Sequence, residues 1–122
     1  MIKGSIVALI TPMNEEGSVD YAGLEKLIQF HLDEQTDGLL VLGTTGESST
    51  LTQSEEEKIL QLTVKKVAGR VPVIAGAGTN NTKETIAKAK HFASLGADAL
   101  LVITPYYNKT SDAGLAAHFT AI

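Results

Sequence analysis

The stretch Gly38-Leu39-Leu40-Val41-Leu42 runs directly into Gly43-Thr44-Thr45-Gly46-Glu47-Ser48. An apolar run of strand length without polar alternation fits a strand covered on both faces. The turn after it combines glycines, which permit unusual backbone angles, with hydroxyl side chains that can both donate and accept hydrogen bonds. A buried strand that ends in such a turn is how α/β proteins bring chemistry to the carboxyl edge of a parallel sheet.

The same pattern recurs on either side. Upstream, Ser5-Ile6-Val7-Ala8-Leu9-Ile10 reads as a strand stopped by Thr11-Pro12. Asp20 then caps a helix whose stripe is Tyr21, Leu24, Leu27, Ile28, His31 and Leu32. Downstream, Thr52 with Glu55 three residues on forms a capping box for a helix with the face Ile59, Leu60, Val64 and Val67. Val71 to Ala75 is the third strand. Its helix is capped by Asn81 or Thr82, buries Ile86, Ala89 and Ala93, and stops at Gly96. Ala97 to Ile103 is the fourth strand, and Ser111 opens a helix with Leu115, His118, Phe119 and Ile122 on one face and no stop signal after it.

The strand exits Thr11, Gly43, Gly76 and Thr104 are 32, 33 and 28 residues apart, the spacing of strand-helix units and not of hairpins. The fold class is therefore α/β with parallel strands. A doubly wound sheet and a β/α barrel both satisfy the pattern. An eight-unit barrel takes about 250 residues, so residues 1–122 read as one partial domain, the amino-terminal half of a (β/α)8 TIM barrel with four βα units and an incomplete last helix. A half barrel leaves two sheet edges and an apolar concave face in need of a partner: a second polypeptide, another copy of the chain, or further residues of the same protein.

Composition narrows the function. The 122 residues are 43% hydrophobic, contain no cysteine and carry a net charge of -4, which excludes disulfides and thiolate metal sites and gives no electrostatic reason to bind nucleic acid. No apolar stretch approaches the roughly 20 residues needed to cross a bilayer, and the amino terminus lacks a signal pattern, so a cytoplasmic location and a small-molecule partner are expected.

Read as one surface, the exits present Thr11, Gly43 to Ser48, Gly76-Ala77-Gly78-Thr79-Asn80, and Thr104-Pro105-Tyr106-Tyr107-Asn108-Lys109. Threonine hydroxyls and turn amides suit a carboxylate, and neighbouring tyrosines can pass protons. Several features have plainer readings. Glu47 reads as an acceptor for nearby backbone amides. Glu55-Glu56-Glu57 reads as a solvated first helical turn favoured by the dipole. His31, His91 and His118 read as surface or packing residues without metal-ligand spacing. Gly76-Ala77-Gly78-Thr79 lacks the third glycine of a dinucleotide loop and any phosphate-binding Gly-Lys-Ser/Thr triplet.

Three motifs in order carry a resemblance: Gly4-Ser5-Ile6-Val7-Ala8 with Thr11-Pro12-Met13, then Gly43 to Ser48, then Thr104 to Lys109. Together they resemble the 4-hydroxy-tetrahydrodipicolinate synthase (dihydrodipicolinate synthase) family along the whole chain, corresponding to about the first two-fifths of that family's barrel. The resemblance implies a class I aldolase-like lyase of lysine and diaminopimelate biosynthesis. In it pyruvate, held as a lysine Schiff base, condenses with L-aspartate-semialdehyde without metal or organic cofactor. It implies that Thr44 relays protons, that Thr45 holds the pyruvate carboxylate, and that Tyr107 completes the relay in a neighbouring subunit of a homo-oligomer, a homotetramer in that family.

The family's Schiff-base lysine, its acid-base tyrosine and its substrate-binding arginine match no residue of this chain, so the polypeptide by itself is expected to be inactive. The resemblance also implies an allosteric site for a lysine effector at Ser48, Ser49, Asn80, Glu84 and Tyr106. Gln53 and Glu56 depart from it, standing where lysine-sensitive members commonly carry histidine. Thr110 stands where a proline is usual. N-acetylneuraminate lyase and sugar-acid aldolases of the same family, which more often have serine at position 44, are the alternative, as is a non-catalytic half barrel assembled with a partner.

Overall fold

Strands and helices alternate through the computed structural model, which describes residues 1–122. In chain order they are β1 (Ile6–Ala8), α1 (Tyr21–Asp33), β2 (Gly38–Val41), a short 3-10 turn (Ser48–Thr50), α2 (Gln53–Val67), β3 (Val73–Gly76), α3 (Thr82–Ser94), β4 (Ala99–Leu101) and α4 (Asp112–Ala121). Each helix starts where its sequence signal stands. The Asp20 carboxylate accepts from the Gly23 amide, Thr52 and Glu55 form a reciprocal capping box, Asn81 accepts from Lys83 and Glu84, and Ser111 accepts from Gly114. Gly96, at φ +99, turns the chain after α3.

The four strands are all parallel and lie in the order β1-β2-β3-β4. Strand order that follows chain order without reversal is that of a barrel wall and not of a doubly wound sheet, whose order reverses at a switch point. Register pairs Ile6 with Gly38, Leu39 with Val73, and Ile74 with Ala99. Two aspartates fix the strand beginnings: Asp37 accepts from the Ser5 amide at 2.7 Å and Asp98 from the Val73 amide at 2.8 Å.

The pleat sends alternate residues to opposite faces, and the two faces differ. Leu9, Leu39, Val41, Val73 and Ala75 are buried in one cluster with Leu24 and Ile28 of α1, Ile59, Leu60 and Val67 of α2, and Phe92 of α3. On the other face Ile6 is 40% exposed, Ile10 55%, Leu101 47% and Ile103 45%. The apolar runs are thus covered by helices on one side only, and the second side is the open concave wall of a half barrel.

Three expectations are corrected by packing. The edge strands are shorter than the apolar runs, Ile6–Ala8 and Ala99–Leu101, because each has a neighbour on one side only. The α3 face is rotated: Thr85 and Phe92 are buried with Ala89, while Ala93 is exposed. Thr85 tolerates burial because its hydroxyl accepts from the Thr79 amide at 3.0 Å and bonds the Asn81 carbonyl at 3.0 Å. On α4, His118 is buried with Nδ1 2.8 Å from Thr82 Oγ1, and Phe119, assigned to the same face, is 40% exposed.

The acidic run is not a solvated turn. Glu55 closes the capping box, and Glu56 is buried with Oε1 2.6 Å from Lys88 Nζ. Glu57 Oε1 lies 3.0 Å from His91 Nε2, a close approach without hydrogen-bond alignment. Glu56–Lys88 and Glu57–His91 therefore join α2 to α3. No helix is long and apolar enough to cross a membrane.

Candidate active site at the carboxyl ends of the strands

Gly43 to Ser48 folds into a tight turn immediately after β2. The Gly46 amide donates to the Gly43 carbonyl at 3.1 Å and the Glu47 amide to the Thr44 carbonyl at 3.0 Å. From the exit of β1, the buried Thr11 hydroxyl donates to the Gly46 carbonyl at 2.7 Å. Gly46 sits in a tight place: a Cβ there would lie 3.2 Å from the Leu9 carbonyl oxygen and 3.3 Å from Thr11 Oγ1.

Two residues of this segment adopt left-handed backbone angles, the buried Leu42 at φ +60 and Glu47 at φ +53, and Tyr107 on the β4 exit is a third at φ +67. Each such non-glycine residue costs about 1–3 kcal/mol and persists only where its surroundings hold it. Three of the five positive-φ non-glycine residues, then, lie at this end of the sheet; the other two, Gln35 and Ala68, follow helix ends. Glu47 acts through its backbone carbonyl, which accepts from the Thr50 amide and hydroxyl. Its carboxylate holds no hydrogen bond, contrary to its expected role as an acceptor.

Thr44 and Thr45 are exposed on this turn, and neither hydroxyl has a partner within the chain. Both are free to bond a ligand, on a turn whose Gly46 carbonyl is bonded by Thr11. Gly76 and Gly78 serve a different need. A Cβ on Gly76 would be driven into the Leu42 carbonyl, and one on Gly78 into the Ile103 amide, so these glycines let the exits of β2, β3 and β4 approach one another. Asn108 Nδ2 donates to the Asn80 carbonyl at 3.0 Å and ties the β4 loop to the β3 loop.

Thr44 borders two cavities. One lies over Gly43, Gly76, Leu101 and Ile103 at the head of the open sheet face. The other brings Thr44 together with Ser48, Ser49, Tyr106, Glu56 and Lys88. Beyond the Glu56–Lys88 pair a further cavity contains Gln53, Glu84 and His91. Of the anticipated effector residues, Ser48, Ser49 and Tyr106 thus share a cavity, Glu84 faces the adjoining one, and Asn80 contributes its carbonyl to the loop tie. Tyr107 is set apart: it is 99% exposed and lines neither cavity that Thr44 borders.

Lys88 is the residue that the pattern of helices and strands conceals. None of the nine lysines lies in a strand, yet Lys88 reaches from α3 into the wall of the Thr44 cavity, where its ammonium is held by Glu56. Its spacing to Glu56 is 32 residues, beyond any local pattern. No group of three His, Asp or Glu side chains is arranged to hold a metal ion.

Parallel strands in chain order, helices on the outer face and a hydroxyl-bearing rim at the strand ends define a β/α-barrel protein whose site is built from strand-exit loops. The family model described as the dihydrodipicolinate synthetase family matches residues 1–122, and the chain belongs to that family. It is 56% identical over 122 residues to a 4-hydroxy-tetrahydrodipicolinate synthase of Thermoanaerobacter sp., covering 100% of this chain and 41% of the relative. Among solved structures, dihydrodipicolinate synthase from Aquifex aeolicus is 55% identical with a TM-score of 0.91, over 97% of this chain and 40% of that one. The chloride-inhibited enzyme from Acinetobacter baumannii, complexed with pyruvate, is 45% identical with a TM-score of 0.98, over 99% of this chain and 42% of that one. The chain spans about two-fifths of the length of the curated relatives it matches. The fold is the amino-terminal half of a (β/α)8 barrel.

Proposed function

We propose that the protein carrying these residues is a lyase of lysine and diaminopimelate biosynthesis that condenses pyruvate with L-aspartate-semialdehyde to 4-hydroxy-tetrahydrodipicolinate. The observation that carries this reading is the clamped Gly43–Ser48 turn, which offers two unpartnered threonine hydroxyls in a chain 56% identical to a synthase of that name. Residues 1–122 form the first four βα units of its single barrel domain.

In this reading a lysine amine attacks the pyruvate carbonyl and expels water, giving an iminium. Loss of a methyl proton gives the enamine, whose carbon bonds to the aldehyde carbon. The substrate's own amine then adds to the iminium carbon and displaces the lysine, closing the ring. Thr45 Oγ1 and the amides of Thr44 and Thr45, which have no acceptor within the chain, donate to the pyruvate carboxylate, supplying hydrogen bonds without a fixed charge. Thr44 passes protons, and the outward Tyr107 joins the relay in a neighbouring copy of a homo-oligomer. No metal or organic cofactor enters, and the protein works in the cytoplasm.

The nucleophilic lysine is assigned to a part of the barrel outside these 122 residues, since Lys88, the lysine nearest the cavity, has its ammonium engaged by Glu56. The same reading assigns an L-lysine effector to Ser48, Ser49, Asn80, Glu84 and Tyr106.

Borohydride trapping with pyruvate tests the proposal. The whole protein should gain one reduced pyruvate adduct and the 122-residue chain none, and the whole protein should consume pyruvate only with aspartate-semialdehyde. Labelling of the short chain, or turnover of sugar acids alone, refutes it.

A further inference from the structure

We propose that Thr11 is a positioning residue for the candidate active site: its hydroxyl, held at the exit of β1, clamps the Gly43–Ser48 turn so that Thr44 and Thr45 keep one orientation toward the ligand. This rests on the functional reading above.

Thr11 is 7% exposed, and its 2.7 Å bond to the Gly46 carbonyl spans 35 residues of chain. It is the only side-chain hydrogen bond that reaches the turn from another strand exit. The donor is itself fixed: the Asp20 amide donates to the neighbouring Pro12 carbonyl at 2.8 Å, and Met13 bridges to Val19. The acceptor lies between Thr45 and the left-handed Glu47, in a segment entered through the left-handed Leu42. Such a backbone has other conformations available to it, and a contact from outside the turn selects one. Gly46, with no side chain, lets the turn lie against Leu9 and Thr11, where a Cβ would stand only 3.2 Å from the Leu9 carbonyl oxygen.

Valine has nearly the shape of threonine but no hydroxyl, so Thr11→Val removes the clamp and leaves the buried Gly46 carbonyl unpaired. Thr11→Ser keeps the donor. Thr63→Val is the control for losing a buried hydroxyl away from the site: Thr63 is fully buried in the middle of α2 and its hydroxyl donates to the Ile59 carbonyl at 2.8 Å, an acceptor that the helix itself also pairs.

The test uses the whole protein that carries these residues, with wild type and the three variants compared for pyruvate condensation, thermal unfolding and amide exchange. We expect Thr11→Val to lower kcat/KM about 10²-fold and Thr11→Ser to stay within about threefold of wild type, the scale of a misplaced reacting group. Thr63→Val should keep kcat/KM, whatever it does to the unfolding midpoint. Exchange at the amides of Thr45 to Ser48 should be faster in Thr11→Val than in Thr63→Val. Equal activity losses in the two valine variants, full activity in Thr11→Val, or a serine variant as impaired as the valine one would overturn the proposal. If wild type does not turn over pyruvate with aspartate-semialdehyde, the reaction assignment fails, and the exchange comparison alone decides whether Thr11 holds the turn.

Discussion

Lys88 on α3 and Glu56 on α2 meet at 2.6 Å in the wall of the cavity that also contains Thr44. The Glu56 side chain is 8% exposed and that of Lys88 24%, so the pair is shielded but not sealed. It both joins two helices and sets the charge balance beside the site.

Removing one partner should therefore be costly. Lys88→Met strands a buried carboxylate and is expected to lower stability by about 2 kcal/mol, between the limits for exposed and fully buried pairs. Adding Glu56→Gln to it should recover part of that loss, because the unpaired charge disappears. Urea unfolding of the two proteins measures the difference, and a double variant no more stable than the single one would contradict the pairing.

Gly76→Ala should be among the most damaging single changes, since the new methyl group would be driven into the Leu42 carbonyl at the point where β2 and β3 leave the sheet. A loss of about 3 kcal/mol or more, or failure to fold, is expected from such overpacking. Gly17→Ala, whose Cβ meets nothing but whose φ is +82, should cost only about 1 kcal/mol.

Glu55 predicts a pH dependence. Hydrogen bonds from the Thr52 backbone amide and then its hydroxyl hold this carboxyl below its ordinary value of 4.5. A folded-state pKa below the unfolded one stabilises the protein above the unfolded value, and that contribution is lost as pH falls through the folded value. Wild type should accordingly be more stable than Glu55→Gln at neutral pH, with the gap closing as pH falls below 4.5. Thermal unfolding of both proteins across that range provides the check; a gap that widens in acid would reverse the sign.

Thr44 and Thr45 should separate kinetically in the whole protein. If Thr45 holds the pyruvate carboxylate as proposed, Thr45→Val removes a hydrogen bond to a charged group, about 1.5–3 kcal/mol, and should raise the KM for pyruvate about tenfold or more. Thr44→Val should chiefly lower kcat, by about 10²-fold or more, as expected for a lost proton-transfer partner. Steady-state kinetics with pyruvate varied would show whether the two effects fall on different constants.

Local chemistry made much of this legible from sequence. The caps at Asp20, Thr52 and Ser111 are read correctly, and that of α3 is narrowed to Asn81 or Thr82, of which Asn81 is the cap, because each acts within three residues of itself. The parallel order follows from the spacing of strand exits, and the half barrel from four such units. What was hidden depends on partners far along the chain. Thr85 turns inward because a loop six residues back offers an amide, and Glu56 is buried because Lys88 arrives from another helix. Leu42 at φ +60 carries no sequence signal at all, since leucine ordinarily avoids that region. For the site, the motif located the turn, but the solitary outward position of Tyr107 and the intrusion of Lys88 emerge only when the helices are placed.

The chain-ordered sheet also bears on how the molecule is built. Each strand bonds to the one 25–34 residues after it, as Ile6 to Gly38, Leu39 to Val73 and Ile74 to Ala99. No strand must wait for a distant segment before finding a neighbour, so loop-closure cost stays low at every addition. A ribosome feeding out this polypeptide would let the wall grow one stave at a time, with every newly emerged unit docking on an edge already formed.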